Sequence, residues 1–190
     1  MKTQTSIFAI ALAALALGGC GKKSEPVPNE TVAAPTNGLN AVESAPVPEN
    51  ADQAFANAAA ASDMFEVESS RLAEINSQSA SVKKFAEAMI KAHTDSTAEL
   101  TEAAGKATPA IVPKLLLTPE QQQALDSLKD KKGADFDAAY IAAQRKGHEE
   151  TLDKLKAYAE NGEVPALKAF AAKLVPVVTE HLNMAKALKS

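Results

Sequence analysis

Val82, Phe85, Met89, His93, Ser96, Leu100 and Ala103 recur at alternating steps of three and four. On an α-helix that spacing puts them on one stripe, one above the other. Phe136, Tyr140, Gln144, His148, Leu152 and Leu155 form a second stripe, and Leu167, Ala171, Leu174, Val178, His181, Ala185 and Leu188 a third. A chain with several such stripes folds by laying helices side by side. Alanine is abundant, aromatic residues make up 4% of the chain, and no stretch alternates Val, Ile and Thr as a half-buried strand would. The fold class is therefore all-α.

Boundary signals divide the region from 51 to 190, roughly 140 residues and a normal size for one domain, into five segments. A first helix is expected from about Asp52, as N-cap, to Ser79, with Phe55, Phe65, Leu72 and Ile75 as its larger apolar residues. A break near Ser81 leads to a second from about Val82 to Lys106, which Pro109 and Pro113 terminate. Thr118-Pro119-Glu120-Gln121 carries a hydroxyl N-cap with proline at N1, which starts a short helix to about Lys131. Gly133 ends that helix and Asp135 caps the fourth, expected over Phe136 to Glu160. Asn161-Gly162 separates it from the fifth, Pro165 to Lys189, which Pro176 should kink. Two helix pairs with tight turns, joined by a connection long enough to run the length of a 25-residue helix (about 38 Å at 1.5 Å per residue), predict a ferritin-like four-helix bundle whose long crossover carries a short extra helix.

The N-terminal fifty residues have a different logic. Lys2, the apolar run Ile7 to Leu17 and the small residues after it form a secretory signal over residues 1–19. The run is too short to cross a bilayer as a helix, which takes roughly 20 residues. Leu17-Gly18-Gly19-Cys20 resembles a lipobox, which implies cleavage before Cys20 and its acylation. Gly21, where such signals place aspartate to retain a protein at the inner membrane, then points to the outer membrane, facing the periplasm. Residues 20–50 hold Pro26, Pro28, Pro35, Pro46 and Pro48 among small polar residues and read as a disordered tether. With the chain's one cysteine carrying lipid, no thiol remains for disulfides, metal thiolates or nucleophilic catalysis. The net charge of −4 and the lack of a basic patch interleaved with aromatics exclude nucleic acid as a partner. The expected partner is a membrane, reached through the lipid.

Several stretches resemble the bacterial envelope family known as domain of unknown function 4142: Phe65 to Ala73, Val82 to Ile90 followed by His93, Phe136 to Tyr140 followed by His148, and Leu167 to Ala171 with Pro176 and His181-Leu182. The resemblance spans nearly the whole domain and implies a ferritin-like fold, while supplying no mechanism. Members often carry aspartate immediately before the second-helix histidine; Ala92 stands there.

The chain's three histidines, His93, His148 and His181, all lie on apolar seams. Di-iron chemistry needs Glu-x-x-His on two helices, but Ile90, Arg145 and Val178 stand three residues before the histidines. That argues against ferroxidase or oxygenase activity, and the protein reads as non-enzymatic. Two readings of the histidines stay open. In one they form a buried polar network with Tyr140, Gln144 and Glu66 that fixes helix register, in an envelope lipoprotein acting through interaction or as a stress-related accessory without a cofactor. In the other, Glu66, His93, His148 and His181 ligate zinc, copper or iron in a periplasmic metal-binding bundle. Counting from a first turn near Ala80 puts Glu66 level with His93; counting from Gly162 leaves His148 and His181 offset by about 7 Å.

Overall fold

The computed structural model describes residues 50–189. The expected signal, the expected lipidation site at Cys20 and the expected tether up to residue 49 lie outside them.

Five helices follow one another: α1 Ala51–Asn76, α2 Ala80–Gly105, α3 Pro119–Lys129, α4 Gly133–Asn161 and α5 Pro165–Ala187. α1 packs along α2 and α4 along α5. The two pairs then join face to face, α1 on α4 and α2 on α5. All four seams are antiparallel. Phe55 near the start of α1 stacks on Tyr158 near the end of α4, while Ser70 farther along α1 bonds Tyr140 early in α4.

That arrangement requires the chain to travel the bundle's length between α2 and α4. The crossover leaves α2 beside the start of α1, where Gln53 donates to the Val112 carbonyl at 2.9 Å and Asn57 accepts from the Lys114 backbone at 2.8 Å. It arrives at the far end of α1, where Lys132 bonds Asn76. Between those points α3 lies against α1 and α4, burying Leu125 and Leu128. Its start is the expected one: Thr118 accepts from Gln121 N, the Gln121 side chain returns to Thr118 N, and Pro119 opens the helix. The bundle is all-α, with the ferritin-like connectivity the sequence predicts.

Several expected boundaries move. Asn50, rather than Asp52, caps α1 by accepting from Gln53 N at 2.7 Å; Asp52 instead receives the Tyr158 hydroxyl from α4. The α1–α2 turn falls at residues 77–79, with Ser79 as the cap of α2. Helix α4 begins at Gly133, before the expected Asp135 cap, with no side-chain cap bond. Gly133 takes a φ of 55°, in the left-handed region that a Cβ disfavours, and this reverses the chain out of α3. Ile75 points outward at 75% exposed. Helix α5 runs through Pro176 from Pro165 to Ala187. Proline has no N–H to return to the Ala172 carbonyl, a loss the neighbouring helical bonds absorb.

Candidate metal centre

Apolar packing fills the two ends of the bundle, and a polar layer separates them. At one end Phe55, Leu100, Leu155, Leu167 and Phe170 form a cluster; at the other Val82, Phe85, Met89, Phe136 and Tyr140 form a second. Between them Asp63, Glu66, Ser69, Ser70, His93, Gln144, His148 and His181 are all buried.

The three histidines come from α2, α4 and α5 and meet as a triangle. Their ring centroids lie 5.6 Å apart in each of the three pairs. One ring nitrogen from each lies within 4.8 Å of the others. His93 Nε2, His148 Nε2 and His181 Nδ1 are buried and have no hydrogen-bond partner. Leaving a buried polar atom unpaired costs about 1–3 kcal/mol, so an orphaned nitrogen on each of three adjoining rings requires an explanation that apolar packing does not offer.

The opposite nitrogens are held. His93 Nδ1 donates to Asp63 Oδ1 at 2.8 Å, and Thr97 donates to Asp63 Oδ2 at 3.2 Å. His148 Nδ1 donates to the Gln144 carbonyl at 2.8 Å. Each bond puts a ring proton on the outer Nδ1 and leaves Nε2 as the atom available to a metal, which is how metal-ligating imidazoles are ordinarily oriented. Burial, reinforced by the positive charge of His93, pushes His148 down to about 3 and His181 down to about 4, so both rings are neutral at pH 7 with lone pairs available. For His93, burial acts downward but the Asp63 hydrogen bond and the charges of Glu66 and Asp63 outweigh it, and the ring sits above the ordinary imidazole value.

Glu66 does not join the triangle. Its Oε1 stands 3.6 Å from His148 Nδ1, on the outer side of that ring, so the four-ligand set reduces to three nitrogens. Burial raises its carboxyl to about 7, against the lowering effects of His93 and the Gln144 amide. Gly147 makes room for it, since a Cβ there would lie 3.0 Å from Oε1. Tyr140 pairs with Ser70 at 2.8 Å, and the Gln144 amide donates to Ser69 at 3.2 Å.

Asp63 is the functional residue that sequence reasoning missed. The turn centred on residue 78 puts Asp63 fifteen residues before it and His93 fifteen after, level with one another. A turn placed at Ala80 puts Glu66 there instead. Likewise the linker 162–164 centres the second turn on residue 163, so His148 and His181 differ in level by three residues, about 4.5 Å, which side-chain reach bridges.

An antiparallel ferritin-like bundle with a buried three-histidine centre is the class that fold and site define. The chain belongs to the family described as Domain of unknown function (DUF4142), whose model matches residues 37–188. Among solved structures it is similar in fold to "CopM in the Cu(I)-bound form", with a TM-score of 0.60 at 17% sequence identity, covering 73% of this chain and 94% of that one. No curated protein matches the sequence.

Proposed function

We propose that the bundle binds one transition-metal ion between His93, His148 and His181, with Cu(I) the first ion to test, and serves the cell envelope as a non-enzymatic metal buffer or sensor. The observation that carries this reading is that three buried histidines each bring a ring nitrogen within 4.8 Å of the others, while each ring has a buried nitrogen without a hydrogen-bond partner. Metal–imidazole bonds are about 2.0–2.1 Å, so the rings close inward by small rotations about bonds already anchored at Asp63 and Gln144. Imidazole donors suit copper and zinc rather than calcium or magnesium. Cu(I) accepts three imidazole nitrogens, displacing the second ring proton from His93, and the Asp63 carboxylate behind His93 balances its single charge. The fold's likeness to a protein named in a Cu(I)-bound form supports the same choice. A lipid anchor at Cys20 and a position on the periplasmic face of the outer membrane complete the proposal, placing the centre where incoming metal is first met. A purely structural network accounts for Tyr140 but leaves the three histidine nitrogens unpaired.

The test is stoichiometry under competition. Protein incubated with Cu(I) and a chromophoric chelator retains one equivalent per chain, and His93→Ala or His181→Ala retains none while staying helical by circular dichroism. Wild-type protein that holds neither copper nor zinc at micromolar free metal sinks the reading.

A further inference from the structure

The three nitrogens cover the centre unevenly. On the α4 side His148 is backed by Glu66 and Gly147, and Phe85 lies beside its ring at 6.5 Å between centroids. A cavity of about 30 Å³, lined from all four long helices, touches His93 and His181 but not His148. Ala92, Leu155, Phe170 and Leu174 supply its apolar wall, Ser96 and Thr151 contribute hydroxyls, and Asp63 contributes its carboxylate. A water needs at least about 10–15 Å³ of such space, so the cavity has room for a water or a diatomic molecule. Among the described residues, the group of His, Cys, Asp and Glu side chains able to hold a metal is the three histidines alone.

Resting on the metal reading above, we propose that the centre keeps one coordination position open toward this cavity and takes a small uncharged diatomic as its fourth ligand. Three protein ligands with the fourth position free is the arrangement of reactive centres, whereas structural centres are closed by four. The cavity's apolar wall favours a neutral ligand. An anion there would add a second buried negative charge to that of Asp63, with one Cu(I) to balance both. Carbon monoxide is the probe: its carbon lone pair forms one bond to Cu(I), any water in the cavity leaves, and the copper keeps its oxidation state.

The experiment uses the chain loaded anaerobically with one Cu(I), its copper measured before gas is admitted. Wild type is expected to show a C–O stretching band in the infrared that shifts with ¹³CO. Ser96→Leu fills the cavity and is expected to weaken carbon monoxide binding at least about tenfold, since overpacking a closed site costs about 1–3 kcal/mol, while still holding one copper. Leu174→Ala enlarges the same cavity from α5 and is expected to keep the band and move its frequency. A copper-loaded wild type with no band overturns the open position. Carbon monoxide affinity and band frequency unchanged in Leu174→Ala, and in Ser96→Leu if that variant folds, overturn its location. Wild type without copper refutes the underlying metal reading instead, and that result is known before carbon monoxide is added.

Discussion

The two apolar clusters and the polar layer between them are equally buried but held by different means. Phe136 and Tyr140 stack at 5.7 Å in the upper cluster, and Phe55 and Tyr158 at 3.8 Å in the lower, so each end closes on itself through aromatic and aliphatic contact. The layer buries charge-bearing and hydrogen-bonding groups, several of them unsatisfied. Apolar contact holds the ends, and the middle carries a deficit of hydrogen bonds. The sharpest way to break that division is to exchange the two regions' sensitivities. Phe136→Ala, at a fully buried position, is expected to cost about 3–5 kcal/mol in denaturant unfolding and to leave metal stoichiometry at one per chain in the folded fraction. His148→Leu replaces an unsatisfied polar ring by an apolar side chain and is expected to leave metal-free stability within about 1 kcal/mol, while abolishing the gain on metal addition, which is about 4 kcal/mol at a thousandfold excess over Kd. A His148→Leu variant as unstable as Phe136→Ala would show that the layer is structural.

The ends and the middle also differ in how far the sequence disclosed them. Stripes such as Val82-Phe85-Met89 name the core directly, because apolar side chains repeat with the helical period and nothing else explains them. The crossover follows from the length between Pro109 and Gly133. The histidines were legible as seam residues, but their partners were not, because partnership depends on where each turn falls. Two residues' difference in the first turn exchanges Asp63 for Glu66 as the group opposite His93. A signal for Asp63 did exist: it shares a stripe with Ala56, Ala60, Ser70 and Ala73, all buried. An aspartate among small residues on such a stripe faces the core, and a buried aspartate requires a donor.

Asp63 sharpens the comparison within the layer itself, since it grips one histidine by a side chain whereas a backbone carbonyl grips another. A carboxylate behind a ligating imidazole raises its basicity, and removing such a partner typically weakens metal binding 10–100-fold. Asp63→Asn keeps an acceptor for His93 Nδ1 but removes the charge, so Cu(I) affinity by chelator competition is expected to fall within that range at unchanged stoichiometry. Thr97→Ala, one step farther out, is expected to fall by less. Equal affinities in Asp63→Asn and wild type would mean that Asp63 serves the fold and not the metal.

The last expected effect is on pH dependence, and its sign follows from the shifted groups of the layer. His148 and His181 have folded values of about 3 and about 4 against an ordinary 6.5, so the unfolded chain takes their protons first and stability falls as pH drops below 6.5. Glu66, raised to about 7 from 4.5, and His93, also raised, act oppositely: the folded state binds their protons first, so stability is lost as pH rises through their folded values. Below 6.5 the two lowered histidines outweigh the single carboxyl. Metal-free protein is therefore expected to be most stable near pH 6.5, declining in both directions and more steeply below pH 4.5, where Glu66 no longer offsets them. Thermal unfolding followed by circular dichroism across pH 4–8.5 measures the profile. In His148→Leu the acid limb should become shallower by one proton, about 1.4 kcal/mol per pH unit, whereas a profile identical to wild type would show that the acid limb arises outside the layer.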